Sequence, residues 1–213
     1  MAEKKLSTPL MISGLLIILG LGALVTGIGL KFHANMKDTV DFAQLFLCML
    51  AAVAIAFLYG AVRFSLGAGI ALGIAALHDQ MLTLALVSLV SIVLPQSQNM
   101  PILVVLAVAF TFCQSLPVLR ACMDLRASTP LREMDNAAVA SQAIADTCQL
   151  RKHSIVLAML LFLAGAVSGL GLLAGFLVPA VLALAASVLA ARFLTPALWS
   201  HTMARWGMKK STR

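Results

Sequence analysis

The residues with the most capacity for chemistry lie in one apolar stretch, Ala75-Ala76-Leu77-His78-Asp79-Gln80-Met81-Leu82-Thr83. Asp79 is the one acid inside the long apolar runs of the chain. A carboxylate at hydrocarbon depth is costly, so such a residue faces a bundle interior and commonly marks an ion or proton pathway. Proton relay or gating is the chemistry that fits it, and a hydrogen bond to a neighbouring helix is the structural alternative. On a helix, Ala75 and Thr83 share the face of Asp79, whereas His78 leaves the axis about 100° away. That spacing predicts no compact catalytic pair between His78 and Asp79.

The remaining reactive side chains form no recognisable constellation. His33, His78, His153 and His201 are scattered, as are Cys48, Cys113, Cys122 and Cys148. None shares the close spacing of a metal site, and there is no Cys-x-x-Cys pair. The cysteines fall in predicted spans or on the expected cytoplasmic side, where thiols stay reduced. No nucleophile and base pair and no glycine-rich phosphate loop occurs, and Ser168 among glycines reads as a packing residue. The expectation is therefore a protein that is not an enzyme and carries no metal or cofactor.

The elements that must position Asp79 are membrane helices. The chain has 213 residues, of which 62% are hydrophobic and 11% charged, a make-up unlike that of a soluble domain. Its apolar residues come in runs of roughly 20, the length that crosses a ~30 Å hydrocarbon core at 1.5 Å per residue. The runs predict an all-α polytopic membrane protein of about six spanning helices, at about 9–30, 42–62, 67–94, 101–120, 154–174 and 177–199. The third span is long because it starts in a tight turn at Ser65 to Gly69 and tilts. Gly171, Gly175 and Pro179 suggest where the chain reverses between the nearly fused fifth and sixth spans. The apolar stretch from Leu10 to Leu30 exceeds a signal-peptide core of about 7–15 residues and is expected to remain as a helix.

Cations fix the expected orientation, because short loops rich in Lys and Arg stay in the cytoplasm. With both termini inside, Lys4, Lys5, Arg63, Arg120, Arg126, Arg132, Arg151, Lys152, Arg192 and the C-terminal cations fall near the cytoplasmic face, and only Lys31 and Lys37 lie outside. The net charge of +7 is then a topology signal with a weak attraction to anionic lipid. Charges scattered at helix ends give no continuous strip for nucleic acid.

The one sizeable extramembrane segment, roughly residues 121–153, predicts a short connector helix. Ser128 or Thr129 is the expected cap, Pro130 suits the first turn, and Glu133 and Asp135 favour its positive end. Leu131, Met134, Ala138 and Ala145 form a weak stripe that would lie on the membrane or on a partner, unless the segment merely connects. Close helix packing is expected where small residues recur, at Gly69-x-x-x-Gly73, Gly165-x-x-x-Gly169, Gly171-x-x-x-Gly175 and Ala23-x-x-x-Gly27, within the molecule rather than between copies.

Two stretches resemble a known family. Phe57-Leu58-Tyr59-Gly60-Ala61-Val62-Arg63-Phe64, followed by Leu72-Gly73-Ile74-Ala75-Ala76-Leu77-His78-Asp79 and Leu82-Thr83-Leu84, is similar to the pattern of SecF, the membrane subunit that works with SecD beside the Sec translocon in bacterial protein export. Met123-Asp124-Leu125-Arg126 sits where that family places the Asp-Arg-Ile-Arg exit of its fourth helix, and Gly175-Phe176 with Phe193-Leu194-Thr195-Pro196 resembles its sixth. The resemblance covers about residues 45 to 198. Two departures stand out: the family has a folded extracytoplasmic domain where only about Lys31 to Asp41 joins the first two spans, and Gln114-Ser115-Leu116-Pro117 replaces a Ser-Ile-Asn-Asp stretch tied to proton coupling.

The resemblance implies half of a resistance-nodulation-division type bundle, paired in the bacterial plasma membrane with a separate SecD-like chain and the translocon channel. It implies that Asp79 lies in the bundle interior, that Gln114 and Ser115 line the same cavity beside carbonyls freed by Pro117, and that Arg63, Arg120 and Arg126 anchor helix ends at lipid headgroups. A small proton- or ion-coupled secondary transporter is the alternative. It needs a midplane site of broken helices and more than one ionisable group.

Overall fold

A computed structural model describes residues 2–26, 42–91, 100–128, 134–167 and 171–206. Within them the chain is helical. The helices are α1 Ala2–Thr26, α2 Phe42–Arg63, α3 Leu66–Ser91, α4 Met100–Ala127, α5 Asn136–Asp146, α6 Cys148–Val167, α7 Gly171–Leu189 and α8 Thr195–Trp206, with a π-helical turn, Ala190–Leu194, joining α7 to α8. Helices are the expected outcome for apolar segments in lipid, where each backbone N–H and C=O must find its partner within the segment.

Among the described residues, five helical stretches are long and apolar enough to cross a membrane: Ala43–Arg63, Leu66–Val90, Leu103–Ala127, Cys148–Gly165 and Leu177–Met203. The protein is therefore an all-α, polytopic membrane protein. In α1 the apolar stretch Thr8–Ala23 is shorter, and residues 27–41, which hold the rest of the first expected span and the Lys31–Asp41 link, lie outside the described residues.

Helix α3 is the centre of the bundle. Its span is 67% buried inside the protein, against 17% for α2 and 11% for α6. The reason lies in its small residues. Ala68, Ala71, Ala75 and Ala76 are fully buried, and Gly69 lies so close to α2 that a Cβ there would stand 2.7 Å from both Ala61 N and Phe57 O. On the facing helix, a Cβ on Gly60 would come 2.8 Å from Gly69 Cα, and on α3 one on Gly73 would meet Phe57 Cβ at 3.2 Å. Lipid tails give no hydrophobic drive for helices to associate, so this close backbone approach supplies the contact. On the other side, Gly20 of α1 presses on Ala85, where a Cβ would lie 2.6 Å from the Ala85 backbone. The Gly69-x-x-x-Gly73 pair therefore packs within the molecule. Gly27 and Gly169, the ends of two other small-residue pairs, lie outside the described residues.

The turn from α2 to α3 is tight. Phe64 N–H and Ser65 N–H both donate to Gly60 O, at 3.0 and 3.3 Å, and Ser65 Oγ accepts from Ala68 N–H at 3.2 Å as the N-cap of α3.

The connector differs from its sequence reading. Helix α4 runs on to Ala127 and α6 begins at Cys148, so each reaches several residues beyond its expected span. Between them α5 starts at Asn136, after an extended Asp135 that makes no side-chain cap bond. Thr129 to Glu133, and with them most of the expected cap, lie outside the described residues. The buried face of α5 is Val139, Ala140 and Ala143, which join Val118, Leu119 and Cys122 of α4 and Trp199 of α8 in one apolar cluster. Met134 and Ala145 of the expected stripe are exposed instead. The physical reason is volume: Val and two Ala fit the crevice between α4 and α8, and the register that faces Val139 inward turns Ala145 out. Asn136 Nδ2 donates to Ser200 O at 3.5 Å and Arg126 Nη1 to Met134 O at 2.7 Å, tying α5 to α8 and α4.

Pro179 is likewise not at a reversal but inside α7, which begins at Gly171. Residues 168–170, between α6 and α7, lie outside the described residues. A proline is tolerated within a membrane helix because neighbouring groups satisfy the freed carbonyl.

Gly69→Val should lower stability by about 1–3 kcal/mol, because its new side chain meets backbone that has no slack. Gly14→Ala, with nothing within 4 Å of the new Cβ, should stay within about 0.5 kcal/mol. Unfolding midpoints of the two variants in detergent micelles check both.

Candidate functional site

Asp79 is fully buried, and its carboxyl is held from two sides. Oδ2 lies 2.5 Å from Thr111 Oγ1 on α4, and Oδ1 lies 3.3 Å from His78 Nδ1. The far nitrogen of the same ring, Nε2, lies 3.2 Å from Ser13 Oγ on α1. Two backbone carbonyls end the chain: Ser13 Oγ donates to Leu10 O at 2.9 Å, and Thr111 Oγ1 is 2.9 Å from Ala107 O. Side chains of three helices thus join in one chain through this acid.

His78 and Asp79, not expected to form a compact catalytic pair, are nevertheless in side-chain contact. The 100° offset separates their Cβ directions, but rotation of the imidazole about its own side-chain bonds brings Nδ1 back to the neighbouring carboxyl.

The hydrogen count of the chain is informative. If Ser13 spends its one hydroxyl hydrogen on Leu10 O, its oxygen accepts from His78 Nε2–H. A neutral ring with its hydrogen on Nε2 presents a lone pair at Nδ1. The contact between Nδ1 and Oδ1 then requires one further proton, on the carboxyl or on the ring. Either placement gives a pair of zero net charge, as a neutral acid beside a neutral imidazole or as a carboxylate beside an imidazolium. Such a pair is tolerable where an isolated carboxylate is not. Thr111 completes it by donating to Oδ2, which carries no proton in either placement.

Gln114 and Ser115, one turn along α4, are buried but take no part in this chain. Gln114 Nε2 donates to Ser154 Oγ on α6 at 2.8 Å, and Ser115 Oγ is 2.9 Å from Thr195 Oγ1 at the end of the π-helical turn. Among the described residues several interior polar atoms have no hydrogen-bond partner: both amide atoms of Gln80, Thr83 Oγ1 and Gln114 Oε1. Among the arginines, Arg63 is exposed over the Phe64 ring, Arg120 is exposed 3.7 Å from Asp124, and Arg126 is half-buried on Met134 O. The structure thus separates the sequence candidates into an Asp79–His78 centre, a Gln114/Ser115 level below it, and three arginines beyond.

Thr111 and Ser13 are absent from the sequence reading. Thr111 was within reach, because Thr111, Gln114 and Ser115 recur at the three- and four-residue steps of one helix face. Ser13 was not, since one serine in an apolar run does not say which helix it meets.

No group of three or more His, Cys, Asp or Glu residues able to hold a metal occurs among the described residues. Comparison with protein-family models, with curated proteins and with solved structures gives no match.

Asp79→Asn should fold with stability near that of the parent, because an amide supplies a donor and an acceptor to the same two neighbours. Thr111→Val should lose about 1–3 kcal/mol, since it leaves a buried carboxyl oxygen unpaired. Chemical denaturation of each variant in micelles distinguishes them.

Proposed function

We propose that this chain is a SecF-like membrane subunit of the protein-export machinery. It would sit in a bacterial plasma membrane with both termini cytoplasmic, form half of a resistance-nodulation-division type bundle, and work with a separate SecD-like chain and the Sec translocon channel. The reading assigns it no catalytic chemistry of its own. The observation that carries it is that both halves of the sequence signature belong to one structural unit. The aromatic-Arg-Phe stretch ends in the tight turn that closes at Gly60, and the Leu-His-Asp stretch follows on the helix packed against it, with Asp79 turned inward.

A second reading, a small proton- or ion-coupled secondary transporter, is favoured by the Ser13–His78–Asp79–Thr111 chain and by the polar atoms of Gln80, Thr83 and Gln114 that have no partner among the described residues. In both readings Asp79 is the group on which coupling turns.

Purification of the tagged protein from its native membrane in gentle detergent, with mass spectrometry of what accompanies it, tests the proposal. Recovery of a SecD-like chain or the translocon channel is the expected result. Recovery of the well-folded chain alone contradicts it. In cells, Asp79→Asn should slow secretion or loosen that complex, whereas loss of ion-coupled flux with intact secretion would favour the transporter.

A further inference from the structure

Helix α4 has one strip of surface that the other described helices leave open. Val105, Ala109 and Cys113, four residues apart, are exposed, whereas Thr111, Gln114 and Ser115 on the other side of the helix are buried. At 100° per residue the exposed positions stay within an arc of about 100°, and Arg120 and Asp124, also exposed, continue the same arc toward the end of the helix.

Aromatic pairs flank the strip. On one edge Phe112 meets Tyr59 of α2 with ring centroids 5.4 Å apart, and on the other Phe110 meets Phe162 of α6 at 5.9 Å. The strip is therefore the floor of an apolar groove between α2 and α6, with small side chains below and rings along its sides. An acyl chain suits that shape.

The charges at one end of the groove select among lipids. Arg120 Nε lies 3.7 Å from Asp124 Oδ2, with the two side chains 70% and 73% exposed, so the pair holds itself only weakly. The contact engages one guanidinium nitrogen and one carboxylate oxygen and leaves most of the hydrogen-bonding capacity of both groups available. Arg120 also stands where the apolar part of α4 ends. About 20 residues separate it from Met100, close to 30 Å of helix and the thickness of a hydrocarbon core. Helix α2 agrees: its span ends at Arg63, one turn past the Tyr59 that meets Phe112, and Arg120 is two turns past Phe112. Asp124 lies a further turn outward, about 6 Å along the axis. From its acyl chains outward, phosphatidylethanolamine carries first a phosphate and then an ammonium. The groove end presents a guanidinium and then a carboxylate, in the matching order.

We propose that this groove binds one phosphatidylethanolamine, with an acyl chain along Val105, Ala109 and Cys113, the phosphate on Arg120 and the ammonium on Asp124. An arginine alone at a helix end favours anionic lipid; the acid one turn out turns the preference toward a headgroup that also carries a cation. The site is separate from the Asp79 centre and does not depend on the export reading.

Native mass spectrometry of the full chain in mild detergent tests it, with phosphatidylethanolamine, phosphatidylcholine and phosphatidylglycerol offered in turn. Phosphatidylcholine has no ammonium hydrogen to donate, and phosphatidylglycerol has no cation for Asp124. The wild-type protein should retain phosphatidylethanolamine about threefold or more over either, the factor within reach of one exposed ion pair. Asp124→Asn should remove that preference, and Arg120→Gln should remove most of the retention. Ala109→Phe, which fills the floor and leaves both charges, should weaken retention as well. Arg192→Gln, on the π-helical turn whose Thr195 meets the opposite side of α4 at Ser115, should change nothing. Equal retention of the three lipids, stronger retention of phosphatidylglycerol, or a preference that survives Asp124→Asn would overturn the headgroup assignment. Unchanged retention in Ala109→Phe, or an equal loss in Arg192→Gln, would overturn the groove as its seat. In native membranes a photoreactive benzoylphenylalanine replacing Ala109 should capture phospholipid, and capture of a protein chain there would overturn the lipid as occupant.

Discussion

A carboxyl group at hydrocarbon depth must be neutralised, by a proton or by a partner, and much of this bundle is arranged around that requirement. Asp79 is inaccessible, so water cannot serve it. His78 from its own helix and Thr111 from α4 flank the two oxygens, and the imidazole is in turn seated on Ser13 of α1. Each contact fixes more than charge. Ser13 sets the rotation of α1 against α3, Thr111 sets that of α4, and both also engage a carbonyl of their own helix. The polar chain therefore specifies which faces of three nearly featureless apolar helices meet, a task that lipid-like side chains cannot do alone.

Close packing makes that arrangement affordable in space. The backbones of α2 and α3 approach at Gly60 and Gly69, and those of α1 and α3 at Gly20 and Ala85. A central helix lined by Gly and Ala can be surrounded on several sides and still leave room for the imidazole and carboxyl. At the start of α3, Thr202 Oγ1 donates to Gly67 O, and the buried Trp199 fills the space between α8 and this first turn. The π-helical turn before α8 brings Thr195 to Ser115, so the last helix is fixed on α4 at the level where α5 closes the end of the bundle. π-turns in helices often mark functional positions, and here the turn also carries Arg192.

The fold class and the burial of Asp79 were legible in the sequence, because a single acid inside a long apolar run has few tolerable placements. The tight α2–α3 turn was legible from Ser65 followed by Gly67 and Gly69. What periodicity did not contain was side-chain rotation and partner identity. It assigned His78 to another face, though its ring reaches back to Asp79. It passed over Ser13, which is polar but gives no hint of α3 at long sequence distance. It placed the connector stripe on Met134 and Ala145, where the crevice between α4 and α8 selects Val139, Ala140 and Ala143. It read Pro179 as a break, since the rule that proline ends a helix comes from water and weakens in lipid.

The measurement that bears most directly on this account is a double-mutant cycle across the buried contact, combining Asp79→Leu with Thr111→Val and following unfolding free energy in micelles. If the acid and the hydroxyl hold each other at the centre of the bundle, the two losses are non-additive, with a coupling of about 0.5–3 kcal/mol. Strictly additive losses would mean that the contact fixes nothing, and that the rotation of α4 against α3 is set by apolar packing alone.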